Sequence, residues 1–476
     1  MRCLLVFPNW TFAETHLRAL RKDVAGRTVP SGIFYIGAVL RKAGHEVCII
    51  DGAFYTKQQI LDQMRTFNPQ LVGISTVSML WTNAKSLAEE VKKQHPQTFI
   101  VVGGPHPTAV GEMVLEECEA IDAVGYGEGE FTTLELAEAL EKGQPLDAIK
   151  GLIYRCKSSG DTGSFDRRGK IVRNTPRPLL EDLDSLPYPA FDLIDIKMYR
   201  PSLGHYKRLP SIGVVLSRGC PMNCLYCYKL CGNTIRTRSP VKVADEIEFY
   251  VQKYGIRDVK FWTELFTAER QVVMDFCDEI IHRQLDIAWS CAARVDTVDE
   301  ELLRKMKQAG CWYLQYGIES GVQKNLNTLR KGTTIQNIEN AIALTHKVGL
   351  ESFCTYILGI PGETYEEALK TIEFACKLNS FYAEFFPLTP FPGTDLYRDV
   401  KKYGRLIGSI DELTLHHMPF VPYTMSEDQL RSLQILAYRK YYARPRYMLM
   451  RLLKIRSLED LRASWQGFKA FVSLTT

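Results

Sequence analysis

Two separate runs of short apolar strands alternating with amphipathic helices restrict this chain to parallel sheets covered by helices. In the first run, strands are predicted at residues 3–7, 47–51, 71–75, 99–102 and 123–124, with helices over 33–43 and 82–94 and Gly44 closing the first helix. In the second, strands are predicted at 212–216, 258–262, 288–293, 312–318, 352–358 and 383–388, with helices over 243–254, 268–283, 300–308 and 335–348. Six such units fit a partial (β/α) barrel, whose reactive groups collect at the carboxyl ends of its strands. A chain of 476 residues exceeds one core, and we divide it at 1–150, 151–205, 206–400 and 401–476. The second of these reads as a connector, a hairpin of 152–154 and 170–172 across a polar stretch at 158–168, followed by a proline-punctuated segment at 183–191 that cannot continue a helix.

Composition narrows the setting. The apolar run at the start is too short for a signal peptide and reads as a first strand, and no segment is long and apolar enough to span a bilayer. The thirteen cysteines are scattered without a disulfide framework, which points to a reducing compartment, the cytoplasm. Three of them stand apart. Cys220, Cys224 and Cys227, in Ser217-Arg218-Gly219-Cys220-Pro221-Met222-Asn223-Cys224-Leu225-Tyr226-Cys227, place three thiolates in one tight loop after an apolar strand. A four-iron, four-sulfur cluster normally takes one thiolate per iron, so three leave one iron open to a small molecule. A zinc site or an electron-transfer ferredoxin would want a fourth ligand, and Cys231 could supply it.

In a doubly wound sheet, ligands sit beyond the carboxyl ends of the strands. The loops there are Pro8-Asn9-Trp10, Asp51-Gly52-Ala53, Ser75-Thr76-Val77-Ser78-Met79, Gly103-Gly104-Pro105-His106-Pro107-Thr108 and Gly125-Tyr126-Gly127-Glu128-Gly129-Glu130. Their glycines let backbone approach a large ligand closely. Taken alone, this domain could be flavodoxin-like, nucleotide-binding or a receiver. A dinucleotide fingerprint is not supported, because no GxGxxG follows the first strand and no GxxxxGK[ST] occurs anywhere.

The cysteine triplet with its preceding strand and Tyr226, together with Gly103-Gly104-Pro105-His106-Pro107-Thr108 followed by Gly125-Tyr126-Gly127-Glu128-Gly129-Glu130, resembles the cobalamin-dependent radical S-adenosylmethionine (SAM) family over residues 1–400. The resemblance implies an α/β chain: an N-terminal doubly wound parallel-sheet cobalamin-binding domain, a partial (β/α)6 radical SAM barrel and a helical C-terminal tail. It implies that Cys220, Cys224 and Cys227 bind a [4Fe-4S] cluster whose open iron chelates SAM, that Tyr226 packs beside the adenine, and that Glu264 contacts the SAM ammonium. Arg294 would pair with the SAM carboxylate or a nearby acid, and Glu319 would accept from the ribose hydroxyls or the ammonium. A structural alternative pairs a strand-end Glu and Arg with each other across the barrel mouth. Ser75, Gly103, Gly104, His106, Gly127 and Glu128 would line a base-off cobalamin. His106 would serve as a loop or corrin contact, since the Asp-x-His-x-x-Gly pattern of an axial histidine is missing. The turn Gly359-Ile360-Pro361-Gly362-Glu363 recurs in the family and is expected to shape a helix start.

By that resemblance the chain methylates an unactivated carbon of a small-molecule or lipid substrate, using SAM both as methyl source for cobalamin and as source of a 5′-deoxyadenosyl radical, with a low-potential flavodoxin or ferredoxin as electron donor. Two alternatives stay open: an oxidative cyclase or ring-rearrangement enzyme like the anaerobic magnesium-protoporphyrin monomethyl ester cyclases, and a non-catalytic cobalamin sensor with a structural cluster. The tail from 431 to 469 carries ten Lys or Arg against Glu459 and Asp460 in a chain of net charge +4. Interleaved with apolar residues, it would cap the barrel with a solvated basic face or touch an anionic membrane peripherally; no nucleic-acid motif accompanies it.

Overall fold

The computed structural model describes residues 1–8, 26–156, 169–202, 204–408, 418–453 and Trp465. Asn9 and Trp10 of the first predicted loop, the polar stretch at 158–168 and the tail at 454–464 and 466–476 lie outside the described residues. Among the described residues no helix is long and apolar enough to cross a membrane.

The first compact unit is built on a seven-stranded sheet of order β2-β1-β3-β4-β5-β6-β7. Its strands are β1 (Arg2–Phe7), β2 (Glu46–Asp51), β3 (Leu71–Ser75), β4 (Phe99–Gly103), β5 (Ala123–Gly125), β6 (Leu152–Arg155) and β7 (Ile171–Arg173). The five predicted strands are parallel, and each is where the alternation put it to within a residue or two. Helices Ser31–Lys42, Lys57–Phe67, Trp81–Gln94 and Glu130–Lys142 connect them. Neighbouring residues of β1, which point to opposite faces, are equally buried: Leu4 is 1 % and Leu5 2 % exposed, as a sheet covered on both sides requires.

The hairpin predicted within the connector at 151–205 forms, and β6 pairs antiparallel with β5 and so extends the first sheet. Further on, Phe191 packs on Phe34 with ring centroids 5.4 Å apart, and Asp192 binds both arms of an ion pair with Arg41. The first unit therefore takes in Pro30–Asp195, together with Tyr228–Gly232, which contains Cys231.

The second unit carries a six-stranded parallel sheet of order β15-β14-β13-β12-β11-β8. Its strands are β8 (Ser211–Val214), β11 (Asp258–Phe261), β12 (Ala288–Ala293), β13 (Cys311–Glu319), β14 (Glu351–Leu358) and β15 (Tyr382–Pro387). A short ladder of β9 (Ser217–Arg218) with β10 (Arg236–Thr237) brackets the cysteine loop. On β11 to β15, one alternation is sealed under helices, with Val259, Leu314, Cys354 and Phe385 all at 0 % exposure. The opposite alternation, Lys260, Ala292, Gln315, Thr355 and Glu384, keeps accessible surface. The sheet thus has a sealed convex face and an open concave one.

The C-terminal helix Glu427–Tyr442 settles what its basic residues do. It covers β15, an edge strand whose backbone groups would otherwise be unpaired. The Tyr442 hydroxyl accepts from Ala383 N–H at 3.1 Å and donates to Ala383 C=O at 2.7 Å; Tyr438 accepts from Phe385 N–H at 3.4 Å, and Gln434 donates to Phe385 C=O at 3.0 Å. Arg431 pairs with Glu427 and Lys440 with Glu373, while Arg444 lies over the Tyr441 ring and Arg451 over Tyr382. These interactions make the helix a cover for the edge of β15, while 454–464 and 466–469 of the tail lie outside the described residues.

Candidate active site and cofactor sites

The loop that follows β8 holds its three cysteines by backbone and side-chain bonds to the strand ends around it. Thr263, just past β11, accepts from Leu216 N–H at 3.1 Å, and Glu264 accepts from Gly219 N–H at 3.3 Å. Within the loop, Leu225 N–H donates to Leu329 C=O at 2.9 Å and the Leu225 side chain enters a core with Leu329, Ile360, Leu388 and Phe420. Burial pushes the Cys227 thiol up to about 11, helped by the neighbouring Cys224 and Cys220 sulfurs and opposed by Lys331. Cys224 is raised in the same way, with Lys331 and Arg294 pulling it down. Such thiols stay protonated until something positive is placed among them, which is what iron provides.

The three thiols feel one another's charge, yet among the described residues no three His, Cys, Asp or Glu side chains converge on a point that would hold a single metal ion.

Beside the cysteines lies a tight polar knot. Glu319 ends β13 with a left-handed backbone, φ +66, and is 5 % exposed. Its Oε1 accepts from the Lys331 ammonium at 2.7 Å and from the Tyr226 hydroxyl at 2.8 Å, while Lys331 stands 3.4 Å from that same hydroxyl. Burial and the Glu319 charge hold the Tyr226 phenol well above its ordinary range. Both bonds fall on Oε1, so Oε2 remains as an acceptor. Arg294, expected on the SAM carboxylate or a nearby acid, is bidentate to Asp296 at 2.9 and 2.8 Å through Nε and Nη2, leaving Nη1. The alternative of a Glu and an Arg pairing across the barrel mouth is not what forms: Glu319 takes Lys331, and Arg294 takes Asp296.

Sequence reasoning missed Lys331 and Glu363. Lys331 lies twelve residues past Glu319 in a loop with no motif of its own, and only the fold brings it there. Glu363 is fully buried; its Oε2 accepts from Gly359 N–H at 2.7 Å and Ile360 N–H at 3.2 Å, and Asn325 donates to Oε1 at 2.9 Å. Burial raises its carboxyl to about 8 against those two N–H groups. The Gly359 to Thr364 turn is thus shaped partly by a carboxylate inside it, and Thr364 opens the next helix with a capping box to Glu367.

In the first unit the strand ends form a glycine cradle. Gly104 has φ +99, and a Cβ there would meet Thr76 O at 2.8 Å and Ser75 Oγ at 3.2 Å. Gly103 and Ser75 end β4 and β3, paired in register, and Gly127 has φ +80 with its N–H bonded to Thr108 Oγ1 at 3.2 Å. These close approaches suit a broad flat ligand lying on the strand ends. Two residues of these loops are also engaged within the protein. His106 sits in the helix Pro105–Val110, 2 % exposed, with Nδ1 at 3.2 Å from Ser78 Oγ and its ring 5.2 Å from Trp81. Glu128 Oε2 accepts from Leu180 N–H at 2.7 Å, tying the loop to the segment after β7.

Comparison with known proteins matches both parts of the chain. Residues 17–137 match the B12 binding domain and residues 214–375 the radical SAM superfamily. The uncharacterized methyltransferase PH0819 of Pyrococcus horikoshii is 33 % identical over 461 residues, covering 94 % of each chain. The anaerobic magnesium-protoporphyrin IX monomethyl ester cyclase of Rubrivivax gelatinosus is 28 % identical over 84 % of this chain and 70 % of its own. In fold, the chain is similar to the radical SAM methyltransferase TsrM of Kitasatospora setae, with tryptophan substrate and a SAM analogue bound, at TM-score 0.66 and 20 % identity over 86 % of this chain and 77 % of that one. It is also similar to the cobalamin-dependent SAM radical enzyme OxsB, at TM-score 0.76 and 16 % identity over 98 % and 70 %.

Proposed function

The chain belongs to the cobalamin-binding radical SAM family of enzymes, and from that premise we propose that it methylates an unactivated carbon of a small-molecule substrate. When bound, the cluster, SAM and cobalamin supply the radical chemistry and the methyl group; the protein holds, orients and shields them. Cys220, Cys224 and Cys227 would each hold one iron and leave the fourth for SAM. The remaining acceptor on Glu319 and the free arm of Arg294 would grip SAM, the first by a ribose hydroxyl or ammonium and the second by its carboxylate. Lys331 and Tyr226 fix the Glu319 carboxylate, so Tyr226 acts on SAM through Glu319 as well as through its ring. Glu264, exposed and bound by one oxygen to Gly219 N–H, offers the other to the SAM ammonium. Ser75, Gly103, Gly104 and Gly127 would bring backbone against the corrin.

The observation that carries methyl transfer is the 33 % identity over nearly the whole of both chains to PH0819. Cyclisation is the second reading, supported by the cyclase similarity. The thiols at Cys277, Cys311 and Cys354, at most 4 % exposed, fit a reducing compartment such as the cytoplasm, where a flavodoxin or ferredoxin would deliver the electron. The anaerobically reconstituted protein should be given cobalamin, SAM and a low-potential reductant, and 5′-deoxyadenosine and S-adenosylhomocysteine quantified by mass spectrometry. Formation of both products supports methyl transfer. Deoxyadenosine alone would favour the cyclase reading, and neither, with the cluster intact, a sensor.

A further inference from the structure

The concave face of the second sheet carries a group of polar side chains that the cluster end does not use. Lys260 projects from β11 and Glu384 from β15, on strands well separated in the sheet order. Both belong to the alternation opposite the sealed face, and both keep accessible surface although they lie within the barrel. Lys260 Nζ finds one hydrogen-bond partner, His205 Nδ1 at 3.1 Å, and the Trp262 ring at 4.6 Å. That imidazole is neutral, since burial and the adjacent Lys260 charge drive it down to about 3. The ammonium therefore has no anion bonded to it among the described residues. Among the described residues Glu384 makes no hydrogen bond or ion pair, and neither do the side chains of its register partner Thr355 or of Gln315 on β13. Lys260 and Glu384 feel each other's charge without forming an ion pair.

A set-in cation and a set-in carboxylate that remain apart are costly unless a third group joins them. We propose that Lys260 and Glu384 are the two ends of a substrate subsite that takes an amino-acid-like group, its carboxylate on Lys260 and its ammonium on Glu384, with Gln315 and Thr355 completing the hydrogen bonds. The subsite's residues are distinct from those that hold the cysteine loop and form the Glu319 knot, which are Thr263, Glu264, Lys331 and Tyr226. The inference rests on the proposed methyl transfer, of which it would specify the acceptor. Tyr313, Phe353 and Tyr382 belong to the same inward alternation and pack ring against ring at 6.3 and 6.0 Å, so a substrate with an apolar or aromatic body fits best.

The test is a thermal-shift titration of the reconstituted holoenzyme with three probes on one skeleton: L-phenylalanine, 3-phenylpropionate with the carboxylate alone, and phenethylamine with the amine alone. L-Phenylalanine should raise the Tm at the lowest concentration. Lys260→Met should weaken the response to 3-phenylpropionate by on the order of tenfold and spare phenethylamine, and Glu384→Gln should do the reverse. Lys260→Arg, which keeps the charge, should retain the 3-phenylpropionate response and serves if Lys260→Met loses its iron. No response to any probe, or responses indifferent to both substitutions, overturns the subsite. Deoxyadenosine from the wild-type protein is measured separately, so failure of the methyl-transfer reading is seen in that assay and failure of the subsite in the titration.

Discussion

The two sheets arise from the same strand and helix alternation and differ in what their faces carry. In the first, adjacent residues such as Leu4 and Leu5 are both sealed, and the glycines that matter sit past the strand ends. In the second, Cys354 is sealed while Thr355 beside it keeps accessible surface, and polar side chains stand midway along the strands. A sheet covered on both faces can receive a ligand only at its edge of loops, whereas a sheet with one open concave face can also receive one along the strands. The difference assigns the first unit to holding a cofactor and gives the second room for several reactants.

The largest expected effects separate the two sheets outright. Replacing Cys220, Cys224 and Cys227 together by Ala should remove iron and sulfide to background and abolish deoxyadenosine formation, with cobalamin binding, read by absorbance, retained. Gly104→Val should do the opposite. Its Cβ would lie 2.8 Å from Thr76 O on a φ of +99, so the cradle must shift and cobalamin binding fall, with iron content kept. Loss of both cofactors in either protein would break the division of labour.

A smaller contrast tests the faces themselves. Leu5→Ala should cost about 2–5 kcal/mol, because the cavity it leaves is closed on both sides. Thr355→Val should stay within about 0.5 kcal/mol, since that position faces accessible space and forms no bond that is lost. Thermal unfolding of the two variants measures this, and equal losses would mean the concave face is packed rather than open.

Much of this was legible because periodicity is local. Strands such as Leu71–Ser75 and Ala288–Ala293 and the helices Glu300–Gln308 and Ile335–Val348 fall where the pattern predicts, and the cysteine loop announces itself by spacing. What escaped depends on contacts between distant segments. Lys331 reaches Glu319 only through the fold, and Tyr438 and Tyr442 read as an amphipathic stripe although their hydroxyls finish the edge of β15. His106, which the family resemblance offers as a loop or corrin contact, is held inward by Ser78 and Trp81, partners that only the fold brings to it. Lys260 and Glu384 lie on separate strands, and only the fold turns both to the inside of the barrel.

The smallest effect bears on that inner face most directly. Burial pushes the Glu384 carboxyl up from 4.5 to about 7 against the pull of Lys260, so the folded chain holds this proton more tightly than the unfolded one. Its contribution to stability is whole below about 4.5 and is lost as pH rises through about 7. Other groups face the same space. His205, lowered by burial from 6.5 to about 3, acts in the opposite direction, adding stability as pH rises from about 3 to about 6.5, and burial raises Tyr313 and Tyr438 far above this range. Asp258, raised by burial from 3.8 to about 6, acts in the same direction as Glu384 but finishes earlier. Lys260, lowered by burial from 10.5 to about 8, acts in the opposite direction, adding stability only as pH rises above about 8. Glu363, raised by burial to about 8, falls through the same range, so the window from about 6.5 to about 7 belongs to Glu384 and Glu363 together. The wild-type Tm should fall across it, and Glu384→Gln should make that fall shallower while leaving the part due to Glu363. Parallel curves for the two proteins would show a fully hydrated Glu384, and with it a concave face no different from ordinary protein surface.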